Sequence, residues 1–192
     1  GVDKGLFSEV ENKEKHQIVF TGNLKRFNEN RGLDFVINSF LSENMPKELS
    51  LKIIGGPSVE AKKLKDYVSK LGLDNKIEIQ NRLSRPLTVS TIEKAGIGLL
   101  VNSSKNLHSV KYSSPLKYFE YLFAGLNIVA IDFPSHQNLP LANNISFFTE
   151  NNQDSFINAI KKSLDSKPIS RKELKSITMD SRVEKIISFI NQ

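Results

Sequence analysis

The feature that most constrains the fold is a regular alternation of short β-rich segments with helical patterns. Six segments rich in β-branched and aromatic residues are predicted as strands: 16–23, 49–55, 76–80, 96–102, 127–132 and 145–149. Helical spacing of apolar residues predicts helices over 33–40, 59–71, 87–95, 116–124, 155–164 and 183–190. Several strands are continuously apolar, as strands covered on both faces must be. The alternation therefore predicts one α/β domain, a Rossmann-like parallel sheet with helices on both faces.

Length and composition agree with this fold class. A chain of 192 residues suits one such domain. Its 39% hydrophobic and 25% charged residues exclude a disordered, collagen-like or coiled-coil chain. The longest apolar runs, around 97–101 and 126–131, fall far short of the ~18 residues of a membrane-spanning helix. The absence of cysteine excludes disulfides, zinc ribbons and thiol nucleophiles.

The charge balance points to an anionic partner. The net charge is +6 and the isoelectric point about 9.4, which suits nucleic acid, anionic lipid or a phosphorylated small molecule. The lysines are dispersed, and no basic run is interleaved with aromatic residues, so nucleic acid is not expected as a partner. Most of the lysines are interpreted as a solvated basic surface.

The two ends of the chain suggest where the domain begins and where its last helix starts. Residues 1–15 are interpreted as a linker or lead-in and 16–192 as the domain. The chain opens without Met and without the basic-then-apolar plan of a signal peptide, and we expect it to be a fragment. Ser170 followed by Glu173 forms a capping-box pattern that predicts the start of the last helix.

Ligands of an open parallel sheet bind beyond the carboxyl ends of its strands, so the loops that follow strands are the places to search. Four such loops carry glycine, polar or basic residues. They contain Gly22 and Asn23 followed by Lys25, Arg26 and Arg31; Gly55, Gly56 and Pro57; Arg82 and Arg85; and the polar run from Asn102 to Ser113.

The segment that begins helix 116–124 is the most informative. Ser114 is predicted as the N-cap and Pro115 as the first helical residue, which directs the positive end of the helix dipole at the strand ends. Lys117 and Glu120 share one helix face. A cation beside a phosphate and a carboxylate for a ribose diol are what a nucleoside diphosphate requires. The alternative is a plain surface ion pair between Lys117 and Glu120, worth ~0.5 kcal/mol.

Other chemistries lack their signatures. The chain has neither G-x-G-x-x-G nor G-x-x-x-x-G-K-[ST], which disfavours dinucleotide dehydrogenases and P-loop NTPases. His16, His108 and His136 lie far apart in sequence, without the spacing of a metal site, and no D-x-D motif occurs. His108 is interpreted as an incidental loop residue, and 132–134 as a turn.

Five segments together carry a resemblance to a known family. They read Gly-Val-Asp at 1–3 with Phe7, Phe-Thr-Gly-Asn-Leu at 20–24 with Arg-Gly-Leu at 31–33, Leu-Lys-Ile-Ile-Gly-Gly at 51–56, Ser-Pro-Leu-Lys-Tyr-Phe-Glu-Tyr-Leu-Phe-Ala-Gly at 114–125, and Val-Ala-Ile-Asp at 129–132. In this order they resemble the C-terminal half of GT-B glycosyltransferases of family 4, the group 1 type. The resemblance covers nearly the whole chain.

The resemblance implies a donor-binding domain, with the acceptor domain in an N-terminal half that this chain lacks. It implies transfer of a sugar with retention from a nucleotide diphosphate sugar, most readily a UDP or GDP sugar, without a cofactor or metal. Arg31 and Lys117 would be the catalytic residues, at the donor phosphates, and Glu120 would bind the ribose hydroxyls. The other substrate-binding residues would be Gly22, Asn23, Arg82, Leu83, Ser113, Ser114, Pro115 and Leu116, with Leu83 near the nucleobase.

Two positions depart from the family pattern. Tyr112 stands where the family has its first glutamate, and Asn23 where it usually has arginine after the strand's glycine. The second departure leaves Arg31 and Lys117, helped by Lys25 or Arg26, to neutralise the leaving diphosphate. We interpret the first departure, the loss of the glutamate, as variation within the family rather than as inactivation.

The resemblance also suggests a biological setting. It implies a hexosyltransferase of bacterial surface polysaccharide synthesis (O-antigen, lipopolysaccharide or capsule), with a glycan or lipid-linked acceptor and a cytoplasmic location at the inner face of the membrane. The basic surface suggests peripheral association with anionic lipid. This chain is expected to be inactive alone. A GT-B-like nucleotide-sugar epimerase and a non-catalytic nucleotide-sugar-binding module stay open as alternatives.

Overall fold

The computed structural model describes residues 4–8, 12–26, 29–113 and 115–190. In chain order the elements are β1 (Glu14–Asn23), β2 (Lys25–Arg26), β3 (Glu29–Asn30), α1 (Leu33–Ser39), β4 (Ser50–Gly56), α2 (Ser58–Lys70), β5 (Ile77–Asn81), α3 (Arg85–Lys94), β6 (Ala95–Leu100), α4 (Leu107–Lys111), α5 (Leu116–Phe123), β7 (Asn127–Ile131), α6 (Pro134–Gln137), β8 (Ile145–Phe148), α7 (Gln153–Asp165) and α8 (Met179–Ile190). Short 3₁₀ helices span Lys4–Leu6, Ala142–Asn144 and Glu173–Ile177.

The long strands form one six-stranded parallel sheet in the order β5-β4-β1-β6-β7-β8. The predicted α/β Rossmann-like class is confirmed. The strand order reverses between β1 and β6, and in such sheets a crevice opens beyond the carboxyl ends of the strands at this switch point. Strands β2 and β3 pair separately as a small antiparallel hairpin.

Alternation of side chains along β1 divides the core between the two faces of the sheet. Ile18 and Phe20 belong to the apolar cluster that packs beneath α1, α2 and α7. Val19 points to the other face and belongs to the cluster beneath α3 and α5. Each fully buried side chain of this size contributes roughly 1.5–3 kcal/mol. The consecutive residues Ile18, Val19 and Phe20 of β1 are therefore all apolar, because helices cover both faces of the sheet.

Helix α5 lies tight against the switch point because of one glycine and one tyrosine. Gly98 in β6 leaves the space that the ring of Tyr121 occupies, and a Cβ at this position would overlap the ring. The Tyr121 hydroxyl accepts a hydrogen bond from the backbone N–H of Thr21 at 3.0 Å. Burial raises the pKa of Tyr121, so the phenol stays neutral. These contacts fix α5 against both β1 and β6.

The two ends of the domain differ from the prediction. Strand β1 begins at Glu14, inside the predicted lead-in 1–15, and Phe7 is buried in the core beneath α3 and α5. The parts of that lead-in at 1–3 and 9–11, like Ser114, lie outside the described residues. Among the described residues, no helix has the length and apolar character needed to cross a membrane.

The predicted start of the last helix is wrong. The N–H and hydroxyl of Ser170 both donate to the Glu173 carboxylate, at 3.0 and 2.6 Å, but this pair precedes the 3₁₀ helix Glu173–Ile177. At the start of α8, Thr178 Oγ1 instead accepts a hydrogen bond from the N–H of Ser181 at 3.1 Å. A capping motif identifies a helical turn, but it does not say how far the turn continues.

Candidate functional site

A cleft of about 800 Å³ opens beyond the carboxyl ends of β1, β4 and β5, beside the start of α5. It brings together ten of the predicted site residues: Gly22, Asn23, Arg31, Arg82, Leu83, Ser113, Pro115, Leu116, Lys117 and Glu120. The predicted site residue Ser114 lies outside the described residues. The cleft is also lined by residues absent from the predicted set: Thr21, Ile54, Gly55, Arg85, Thr88, His108 and Tyr112.

Lys117 lies in the first turn of α5 with its ammonium over an aromatic ring. Its buried Nζ stands 3.8 Å from the ring centroid of Phe20, the fully buried phenylalanine of β1. A cation–π contact away from water contributes about 2 kcal/mol. Gly22 has φ of 123°, and a Cβ there would stand 3.6 Å from Lys117 Nζ. The glycine therefore keeps the space beside the ammonium open.

Arg31 precedes α1 and contacts Asn102, Asn23 and Phe20 within the described part of the chain. Its Nε donates to Asn102 Oδ1 at 3.0 Å, and its Nη1 donates to the carbonyl of Asn23 at 3.2 Å. Its guanidinium carbon lies 5.8 Å from the centroid of Phe20. Only 8% of the surface of Arg31 is exposed, so its guanidinium has little freedom to move. The ring of Phe20 thus contacts two cations at the switch point, Arg31 and Lys117.

Glu120 lies one turn further along α5 and is 6% exposed. Its Oε1 forms an ion pair with Arg85 Nη2 at 2.7 Å, across the cleft at the start of α3. The alternative of a plain surface pair between Lys117 and Glu120 is therefore wrong, since the carboxylate is buried and pairs with a different element. A buried carboxylate of this kind depends on its partner.

Arg82 reaches the end of β1 from the β5–α3 connection. Its Nη2 donates to Asn23 Oδ1 at 2.7 Å, so an arginine stands beside the position where the family pattern places one. Lys25, expected to help at the phosphates, forms an ion pair with Glu60 at 3.1 Å and does not line the cleft. The side chain of Arg26 lies outside the described part of the chain.

The start of α5 differs slightly from the prediction. The first helical residue is Leu116, and Pro115 occupies the N-cap position rather than the first helical position. Pro115, Leu116 and Lys117 all line the cleft, so the positive end of the α5 dipole still faces it. The shift by one residue therefore leaves the start of α5 at the cleft.

His136 and His108 lie in different surroundings, one in the core and one at the rim of the cleft. His136 is fully buried, and its Nδ1–H donates to the carbonyl of Ile131 at 2.8 Å. Burial lowers its pKa, which the nearby charges of Lys117 and Arg31 lower further. His108 is exposed at the cleft rim, with its ring 5.9 Å from that of Tyr112. The described residues contain no group of three or more His, Asp or Glu placed to hold a metal ion.

Sequence reasoning missed Phe20 as a contributor to the site, because it looks like any core phenylalanine and no sequence signal distinguishes it. Asn102 and Arg85 were singled out as polar residues of the loops that follow strands, but neither was given a role in the site. Their partners depend on how the helices pack.

The family described as Glycosyl transferases group 1 matches residues 3–179 of the chain. None of the curated proteins matches the sequence significantly.

Solved structures share the fold at low sequence identity. A sucrose-phosphate synthase from Thermosynechococcus elongatus has a TM-score of 0.73 and 12% identity, covering 100% of this chain and 51% of its own. HepE from Anabaena, solved in complex with UDP and glucose, has a TM-score of 0.68 and 13% identity, covering 98% and 55%. WaaG, a glycosyltransferase involved in lipopolysaccharide biosynthesis, has a TM-score of 0.55 and 16% identity, covering 80% and 39%. The chain therefore spans about half the length of these structures or less, and the similarity shows the fold alone.

Proposed function

The chain belongs to the group 1 glycosyltransferase family, and we propose that it is the domain that binds a nucleotide diphosphate sugar for transfer to an acceptor. The observation that carries the proposal is the arrangement at the switch point. Arg31 and Lys117 are both held against Phe20, and the carboxylate of Glu120 lies one turn away on α5. Fixed cations for a diphosphate and an acceptor for a ribose diol thus share one cleft.

The cations suit the charge that sugar transfer creates. When the bond between the anomeric carbon and the diphosphate oxygen breaks, the electron pair stays on the leaving diphosphate. Lys117, Arg31 and the positive end of α5 would stabilise that charge. Because Arg31 is already fixed by Asn102 and Asn23, it needs little reorganisation during the reaction. Stabilisation of charge by preorganised donors is the largest part of the rate enhancement in many enzymes.

We assign each part of the nucleotide to residues of the same cleft. Glu120 would accept hydrogen bonds from the ribose hydroxyls, and Leu83 would lie near the base. Gly22 and Ser113 would approach the phosphates, with Arg82 beside Asn23. The complex of HepE with UDP and glucose supports a UDP sugar as the first donor to test, with a GDP sugar as the second.

The wider assignment is part of the same proposal. We infer retention of configuration, a hexosyl donor and a glycan or lipid-linked acceptor bound by a second domain. Bacterial surface polysaccharide synthesis at the inner face of the membrane is the setting we propose. The involvement of WaaG in lipopolysaccharide biosynthesis and the basic charge of this chain support it.

Calorimetric titration of the chain with UDP, GDP and ADP tests the donor site. We expect one uridine or guanosine diphosphate to bind with a dissociation constant of ~100 μM or below and Glu120→Ala to weaken it about 10-fold, because hydrogen bonds to a charged group contribute at that level. Glu184→Ala, an exposed residue of α8, is the matched control and should leave binding unchanged.

Failure of UDP and GDP to bind, or equal affinity in the Glu120→Ala variant, contradicts the donor site. Where a nucleotide binds, analysis of the sugar products of the complete enzyme distinguishes transfer from epimerisation. Sugar appearing only on an added acceptor supports transfer, whereas an altered donor without acceptor indicates an epimerase.

A further inference from the structure

Arg85 lines the cleft but has no assigned role in the proposed binding of the donor. It is the first residue of α3, and its guanidinium reaches across the cleft to Glu120 Oε1 at 2.7 Å. The two side chains differ in environment: Arg85 is 50% exposed, and the Glu120 side chain is 7% exposed. The ion pair therefore connects a solvent-facing cation to a carboxylate recessed in the cleft wall.

Glu120 depends on this contact. Within the part of the chain that the structure describes, Arg85 is the only ion-pair partner of Glu120. A carboxylate removed from water is unfavourable unless a paired cation compensates for the lost hydration. The contact at Oε1 also restricts rotation of the carboxylate, because a rotated group would lose this ion pair. Arg85 thus balances the charge of Glu120 and restricts its orientation.

We propose that Arg85 positions the Glu120 carboxylate to receive a ribose diol and thereby makes the cleft selective for ribonucleotides over 2′-deoxyribonucleotides. Arg85 occupies Oε1, which leaves Oε2 to accept from the sugar hydroxyls. A carboxylate without this anchor can rotate and loses the geometry that two neighbouring hydroxyls require. The inference rests on the proposed function, because it assumes that a nucleotide occupies the cleft.

Arg82 provides a matched comparison on the same segment. It lies three residues before Arg85, is also exposed, and also bridges the cleft, but it donates to Asn23 Oδ1 at the end of β1 rather than to Glu120. Arg82 therefore reaches the phosphate side of the cleft, and Arg85 the ribose side. Loss of Arg82 should weaken every nucleotide alike, whereas loss of Arg85 should act through the ribose.

The test measures dissociation constants of UDP, 2′-deoxy-UDP, GDP and 2′-deoxy-GDP for the chain and its variants by calorimetry. For whichever base binds, we expect the unsubstituted chain to prefer the ribonucleotide about 10-fold. In Arg85→Ala this preference should fall to about 2-fold or less, with most of the loss on the ribonucleotide. Arg85→Lys should keep part of the preference, and Arg82→Ala should weaken both forms while their ratio stays.

Three results would overturn the inference. Arg85→Ala with the original ratio would show that Arg85 does not act on the ribose contact. Binding of UDP or GDP without any preference over the deoxy form would overturn the inference and leave the donor site standing. Binding of neither nucleotide would overturn both. If Arg85→Ala does not fold, the ratio measured for Arg85→Gln decides the question.

Discussion

Helix α5 has a lysine near each end, and the two lysines are held in opposite ways. Lys13 reaches its carboxyl end, where the ammonium donates to the carbonyls of Ala124 and, at 2.8 Å, of Glu93 at the end of α3. Lys117 lies in its first turn, over the ring of Phe20. The negative end of a helix favours a cation, and the positive end disfavours one.

The position of Lys13 is explained by stability alone. Its ammonium satisfies carbonyls at the ends of two helices, α3 and α5, whose last carbonyls have no partners within the helix. It joins the start of β1 to both helices. Nothing about this contact requires a ligand.

The position of Lys117 is not explained by stability in the same way. Its charge faces the positive end of α5 and the guanidinium of Arg31 lies on the same ring, 5.8 Å from the centroid. The π face of Phe20 offsets part of this repulsion. An anion in the cleft would turn each of these unfavourable neighbours into a favourable one. Lys13 is therefore accounted for by its contacts within the fold, whereas the surroundings of Lys117 favour an anionic ligand.

Substitution of Lys117 should act mainly on turnover. We expect Lys117→Ala to lower sugar transfer by the complete enzyme by about 10² or more, because one charge-stabilising donor contributes at that level. The melting temperature should fall only modestly, because loss of the cation–π contact with Phe20 is partly offset by removal of a cation from the positive end of α5. Steady-state rates and thermal unfolding measure the two quantities.

Lys111→Ala is the control for Lys117→Ala. Lys111 is an exposed lysine at the end of α4, and in the sequence it lies next to the cleft residue Tyr112. Its rate should match that of the unsubstituted enzyme. A Lys117→Ala rate near the original value, or a large loss of stability without loss of rate, would remove the distinction between the two lysines.

The next effect is on stability. We expect Lys13→Met to lower the free energy of unfolding by about 1–3 kcal/mol, because carbonyls at the ends of two helices lose their hydrogen-bond donor. Nucleotide affinity should not change, since Lys13 lies at the opposite end of the sheet. Urea unfolding and calorimetry measure both. Lys15→Met, an exposed lysine of β1, should change neither quantity, and a loss of nucleotide affinity in Lys13→Met would contradict a purely structural role.

The fold was predictable because burial leaves a pattern along the chain. All six strands of the sheet were predicted within a few residues, since most contain an apolar run that helices cover and β5 alternates buried and more exposed residues. The elements that prediction missed, β2, β3, α4 and α6, have two to five residues. Such elements are too short to show a period, and their position depends on contacts with distant parts of the chain.

The site was predictable in its location but not in its pairings. The topology of a parallel sheet brings the loops after its strands to one edge, so Arg31, Lys117 and Glu120 could be grouped from the sequence. The partner of Glu120 could not be predicted in this way. Lys117 lies at a suitable helical spacing, yet Arg85 forms the ion pair, because the packing of α3 against the sheet decides which cation arrives.

A smaller effect is expected in how the stability that Lys13 contributes depends on pH. Burial lowers its pKa below the usual 10.5, although the charge of Glu93 partly opposes this. Between the lowered pKa and 10.5 the unfolded chain binds more protons than the folded one, so the stability that Lys13 contributes rises with pH. We therefore expect the difference in unfolding free energy between the original chain and Lys13→Met to be larger at about pH 10 than at about pH 7.

Urea unfolding of both proteins at the two pH values measures that difference, and the subtraction cancels the titration of all other groups. A difference that widens toward high pH means that hydrogen bonds from the amine to Glu93 and Ala124 hold the two helix ends, with or without its charge. A difference that narrows means that the charge itself, through Glu93 and the helix dipoles, is what stabilises. Lys13 would then act by the same electrostatic means as Lys117, and only the sign of its surroundings would separate the two.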